Sequence, residues 1–128
     1  MSYFESVVTQ GSSPTAVCKP AKGEILLLKC VILTAPKQRN GYVTVVLTDD
    51  VATKTLYSVC TTENAINVQL CFDELSAWVG ARLEVQSTHS SNVFCGAHYE
   101  SVPPLGNMDF ANWGQTLEVM MDLKQEDK

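Results

Sequence analysis

Val68-Gln69-Leu70-Cys71-Phe72, Arg82-Leu83-Glu84-Val85-Gln86 and Val93-Phe94-Cys95-Gly96-Ala97-His98-Tyr99 decide how this chain folds. In the first two stretches apolar side chains alternate with polar ones: Val68, Leu70 and Phe72 against Asn67 and Gln69, then Leu83 and Val85 against Arg82, Glu84 and Gln86. A period of two marks a strand with one wet face, because successive side chains point to opposite sides of a pleated backbone. Two polar breaks separate the three strands. Asp73-Glu74 with Trp78-Val79-Gly80 forms the first; Ser87-Thr88-His89-Ser90-Ser91-Asn92, dense in turn formers, forms the second and is expected to close a hairpin. Gly96 interrupts the last strand and points to a bulge or a close backbone approach.

Upstream, Tyr3 to Thr9 and Thr15 to Cys18 read as short strands separated by Gly11-Ser12-Ser13-Pro14. After the turn Lys19-Pro20-Ala21-Lys22-Gly23 comes the longest candidate strand, Glu24 to Ala35. Its near-continuous apolar character implies burial on both faces, by core on one side and by another layer or subunit on the other. The β-branched Val31, Ile32 and Thr34 near its end, and its abrupt bounds at Gly and Pro, argue against a helix. Pro36 to Gly41 is a loop carrying an Asn-Gly turn signal; Tyr42 to Thr48 and Thr53 to Cys60 follow as strands, divided by Asp49-Asp50 and closed by Thr61-Thr62-Glu63-Asn64. Eight short strands spaced by polar turns predict an all-β fold, an eight-stranded antiparallel jelly-roll sandwich over residues 1–103. Residues 104–128 lose the alternation and read as a non-β C-terminal segment. There Asn112, Trp113, Leu117, Met120 and Met121 share one stripe of a short helix, before a frayed acidic tail.

The chain has 128 residues, 45% of them hydrophobic and 18% charged, which fits one globular domain. A net charge of −5 argues against direct nucleic-acid binding or an anionic membrane surface and favours a basic partner. The longest apolar run, Ile25 to Leu28, is broken by Lys29 and is far too short to span a bilayer. Met1 to Glu5 carries no basic n-region, so secretion is not expected. The five cysteines are odd in number and without close pairs, which predicts free buried thiols in a reducing compartment, cytoplasm or nucleus.

Catalytic chemistry is not expected. Cys95 and His98 stand three apart on one strand and therefore face opposite ways. The cysteines form no CxxC knuckle for a metal, and no GxSxG elbow, phosphate loop or dinucleotide fingerprint occurs, so no cofactor is expected. The acidic candidates for holding a basic partner are Asp49, Asp50, Asp73, Glu74, Glu118, Asp122, Glu126 and Asp127; their other reading is solvated turn and tail residues. Trp113, Leu117, Met120 and Met121 either fold back over the sandwich or dock a partner protein or peptide. Leu26, Leu28, Cys30 and Ile32, on the strand apolar on both faces, are the candidates for an oligomer interface.

Several stretches together resemble the nucleoplasmin-like core domain of nucleoplasmin/nucleophosmin histone chaperones and of the N-terminal domains of FKBP-type nuclear prolyl isomerases. They are the aromatic pair Tyr3-Phe4, Gly23 to Leu33, Leu56 to Cys60, Asn67 to Phe72, Ala81 to Val85 and Ser90 to His98. The resemblance implies an eight-stranded jelly roll in a homopentameric ring, or a decamer of two rings face to face, whose acidic surfaces bind histones. The expected function is therefore a ring-forming, histone-chaperone-type binding protein. The alternative is an oligomeric assembly scaffold that docks partner proteins or peptides without a histone role.

Overall fold

The computed structural model describes residues 2–9, 13–90, 92–104 and 109. Eight strands follow one another: β1 (Ser2–Thr9), β2 (Thr15–Cys18), β3 (Ile25–Ala35), β4 (Tyr42–Thr48), β5 (Thr53–Cys60), β6 (Ile66–Ser76), β7 (Arg82–Ser87) and β8 (Val93–Val102). They form two four-stranded antiparallel sheets, ordered β1-β8-β3-β6 and β2-β7-β4-β5. No helix occurs among the described residues. The chain passes from sheet to sheet at nearly every connection, and this double-sheet winding is the jelly roll the strand count predicts. The apolar stripe Trp113, Leu117, Met120 and Met121 and the tail carboxylates Glu118, Asp122, Glu126 and Asp127 lie outside the described residues.

Alternation builds the core. Val43, Val45 and Leu47 of β4, Leu83 and Val85 of β7, and Val93, Cys95 and Ala97 of β8 are fully buried and face inward; the residues between them point to the outer face, where Val46, Glu84 and Gly96 are covered as well. On β3 the inward set is Leu26 and Leu28, then Val31, Leu33 and Ala35. The change from even to odd positions comes from a bulge at Lys29, where the register slips against both β6 and β8. This phase shift makes the strand look apolar throughout in sequence. The outer face of β3 carries Leu27, Cys30 and Ile32, only one of which, Cys30, is nearly covered.

Two connections differ from their sequence reading. The segment 88–92 does not close a hairpin: β7 pairs with β2 and β4, whereas β8 pairs with β1 and β3. Among the described residues only β4 and β5 are neighbours both in sequence and in a sheet. Turn formers announce a reversal, but they do not say which sheet the chain enters afterwards. Likewise Asp73-Glu74 does not end β6, which continues to Ser76. The two carboxylates occupy an irregularity opposite Lys29, with Glu74 in the left-handed region at φ 56°.

Candidate interaction surface

Each end of the sandwich is fastened by a polar clasp. At one end Trp78, 1% exposed, donates its indole N–H to Asp49 Oδ2 at 3.1 Å. The other oxygen of Asp49 accepts from the backbone N–H groups of Val51 (2.9 Å) and Ala52 (2.6 Å), so one carboxylate fixes the β4–β5 turn against the β6–β7 connection. Those donors, the Ala52 N–H first and the indole next, hold the Asp49 carboxyl below its ordinary range. At the other end His89, also 1% exposed, joins three connections. Its Nε2 lies 3.1 Å from the Pro36 carbonyl and 2.8 Å from Thr61 Oγ1, and its Nδ1 lies 2.9 Å from Ser87 Oγ. A carbonyl can only accept, so Nε2 carries the proton; Nδ1 then accepts from the Ser87 hydroxyl, which itself accepts the His89 backbone N–H. Ser87 and His89 are both buried, which makes this pair a structural clasp and not a nucleophile with its base. The sequence gives no hint of either clasp, because Trp78 and His89 sit in polar breaks whose local pattern says only turn.

The two outer faces differ in chemistry. On the second sheet, Thr44, Thr55, Ser58 and Gln86 point outward, and Arg82 binds Asp50 through both terminal nitrogens (3.1 and 2.6 Å) and Glu84 through Nε (2.9 Å). The guanidinium beside Asp50 lowers that carboxyl, and the two carboxylates in turn raise Arg82. On the first sheet the outer positions mix apolar and polar side chains: Phe4, 47% exposed, and Val8, 56% exposed, on β1, Phe94 on β8, and Leu27 and Ile32 on β3 stand among Ser2, Ser6, Thr34, Asn67 and Gln69, and Lys29 pairs with Glu100 at 3.3 Å. One row crosses all four strands, Phe4 to His98 to Cys30 to Cys71. The Phe4 ring packs on the His98 ring at a centroid distance of 4.7 Å. It also lies over Gly96, where a Cβ would stand 2.7 Å from Phe4 Cζ. The glycine in β8 thus marks a close approach, made by a side chain from the neighbouring strand.

Against this geometry the candidate residues separate. Leu26 and Leu28 are corrected: both are fully buried between the sheets of their own chain and cannot reach another subunit. Cys30 and Ile32 do stand on the outer face. Asp49 is committed to its turn by neutral N–H donors and Asp50 to Arg82, which Glu84 shares, so both carboxylates of the β4–β5 loop are held by partners of their own chain while the group keeps a net negative charge. Asp73 and Glu74 are exposed on β6, which is an edge strand. These four carboxylates therefore lie on two separate elements, the β4–β5 turn and the edge strand β6. Of the five thiols, Cys18, Cys30 and Cys95 are buried, but Cys60 and Cys71 are exposed, which corrects the expectation of buried thiols throughout. Burial pushes Cys95 up to about 12, and burial, aided by Glu5 and Cys95, pushes Cys18 up to about 12.

No family model and no curated protein matches the chain. Its fold is shared with solved structures, among them two of a pentameric capsid protein isolated from metagenomic phage sequences. Each superposes with a TM-score of 0.50 over 83% of this chain, at 14% and 15% sequence identity. The chain spans 66% and 65% of the length of those proteins. At such identities the likeness is one of fold.

Proposed function

We propose that this protein is an assembly subunit: a jelly roll that associates with copies of itself into a closed ring, most simply a pentamer, and acts through the surfaces that ring presents. The observation that carries the reading is the fold itself, shared over 83% of the chain with a pentameric capsid protein. The outer face of the first sheet adds a physical motive. Phe4, Val8, Phe94, Leu27 and Ile32 present apolar area on one side of the sandwich, between Ser6, Thr34 and the Lys29–Glu100 ion pair, while the opposite side carries Thr44, Thr55, Ser58 and the Arg82 ion pairs beside Tyr42. A subunit gains by covering such exposed apolar side chains. The reading favours a structural scaffold over a histone-chaperone-type role, because Asp49 and Asp50 are spent within the chain and Asp73 and Glu74 stand alone at an edge.

Light scattering on a sizing column tests it. Five copies of the 14.0 kDa chain give a mass of about 70 kDa. A monomer at every concentration tried would end the proposal. A ring that also captures core histones, and releases them steeply as salt rises, would instead restore the chaperone reading, since contacts between charged surfaces are screened over about 10 Å at 0.1 M salt.

A further inference from the structure

We propose that Cys30 and Cys71 form a reversible dithiol–disulfide site on the outer face of the first sheet, closed by exchange with a small disulfide of the glutathione class. The inference does not rest on the assembly reading, and because that reading covers the face that carries Cys71, the exchange belongs to the unassociated chain. Cys30 on β3 and Cys71 on β6 are direct Cα partners in an antiparallel ladder, on the same face. Residues so paired have Cα atoms about 4.5–5.5 Å apart, inside the roughly 4.4–6.8 Å that a disulfide spans, so closure asks for rotation of two side chains and no strand movement. The other cysteines lack this arrangement. Cys60 is exposed but stands opposite Tyr42 in its ladder, and Cys18 and Cys95 are shut between the sheets. His98 flanks Cys30 on the far side, yet no three metal-ligating groups gather among the described residues, which leaves a dithiol as the chemistry of the site.

The two thiols are unequal, and the inequality assigns their roles. Cys71 is exposed and meets reagents first. Cys30 is 8% exposed, and its sulfur accepts a hydrogen bond from Gln69 Nε2 at 3.0 Å. Burial, followed by the adjacent Cys71, raises the Cys30 thiol, while the Gln69 amide works in the opposite direction by favouring the thiolate. The Cys71 thiolate attacks one sulfur of the small disulfide and expels one small thiolate, leaving a mixed disulfide on Cys71. The Cys30 thiolate then attacks the Cys71 sulfur and expels the second. Overall the two protein thiols lose two electrons and two protons, and the small disulfide is reduced to two thiols. The product ties the edge strand β6 covalently to β3.

The test treats dilute, fully reduced protein carrying Cys60→Ala with oxidised glutathione, and follows intact mass and a proteolytic peptide map. Two thiols should disappear together, the Cys30 and Cys71 peptides should be crosslinked within one chain, and dithiothreitol should restore both. Closure should quicken as pH rises, because Cys30 must ionise before it attacks. Adding Cys30→Ala should arrest the reaction at one glutathionyl group on Cys71; adding Cys71→Ala should leave Cys30 unmodified. A mixed disulfide that persists on Cys71 with Cys30 present, a crosslink between chains, or thiols inert to the reagent in the folded protein would each overturn the proposal.

Discussion

Replacing Gly96 with alanine probes how the outer face of the first sheet is held. The new Cβ would stand 2.7 Å from Phe4 Cζ and 3.1 Å from Cε2, so the ring must move away. Phe4 is 47% exposed, and its displacement forfeits about half the burial of a phenylalanine, roughly 1 kcal/mol. Losing the tilted contact with His98 adds about 0.5 kcal/mol. In the other direction, alanine has less conformational freedom to lose on folding than glycine, which returns about 0.7 kcal/mol. Gly96→Ala should therefore destabilise by about 1 kcal/mol. In a Phe4→Ala background the ring is gone and only Ser6 Cβ, at 3.3 Å, must give by a few tenths of an ångström, so the same substitution should stabilise by up to about 0.7 kcal/mol. The coupling between the two sites is then up to about 1.5 kcal/mol, a magnitude expected of residues in contact. Urea unfolding followed by tryptophan fluorescence measures it, with Trp78 reporting on the core and protein concentration held fixed in case subunits associate. With a slope of about 2 kcal/mol per molar urea, the single substitution shifts the midpoint by about 0.5 M. Equal costs with and without the Phe4 ring would refute the account of why β8 carries a glycine.

Two further substitutions and one titration follow from the clasps and the core. Gly41→Ala places a Cβ against Thr61 Oγ1, 2.8 Å from the Gln38 carbonyl and 3.0 Å from His89 Nε2, in a turn whose backbone is bonded on both sides. It should cost about 2–3 kcal/mol in urea unfolding, and a cost near zero would mean the His89 clasp is not rigid. Raising the pH should weaken the fold through Cys18 and Cys95. Their thiols rise from 9.0 to about 12 in the folded chain, so the stability they contribute is whole below pH 9 and is lost as pH climbs toward 12. At pH 11 the two-unit gap corresponds to roughly 2–3 kcal/mol per thiol. The difference between wild type and Cys95→Val isolates the effect from lysine and tyrosine ionisation; identical pH slopes between pH 9 and 11 would exclude it.

The jelly roll is legible because its strands alternate. Val43, Val45, Leu83 and Val85 are core residues that period two identifies without help, and the strand count settles the class. The phase of β3 is not legible, since the bulge at Lys29 moves the inward set from Leu26 and Leu28 to Val31 and Leu33, and a run apolar on both registers hides the step. An assignment of the even positions to another subunit therefore fails at Leu26 and Leu28, while Cys30 and Ile32, after the bulge, stand on the outer face. Trp78 and His89 escape for a different reason. Both belong to connections, and what buries them is Asp49 from 29 residues away and Pro36 from 53, contacts that local periodicity does not encode. The partner of Asp50 is hidden in the same way: the carboxylate looks free in sequence, and Arg82, 32 residues on, is brought beside it only by the fold.

The two exposed cysteines stand on opposite sides of the sandwich and can report which side the assembly covers. Cys71 is on the outer face of the first sheet, opposite Cys30, and Cys60 is on the outer face of the second, opposite Tyr42. The apolar positions Phe4, Val8, Phe94 and Ile32 share the Cys71 side. If copies pack through that side, a bulky maleimide should label Cys71 more slowly as protein concentration rises through the association range, while Cys60 keeps a constant rate. Reading the two rates as a ratio within one sample removes changes in reagent concentration and in overall stability, and the Thr62 contacts that lower the Cys60 thiol act equally at every concentration. Protection of Cys60 with Cys71 left open would place the contact on the Thr- and Ser-rich face and refute the argument from apolar area. Equal rates throughout, in a sample whose mass shows association, would assign the contact to the sheet edges, where β1 and β2 stand at one side and β5 and β6 at the other.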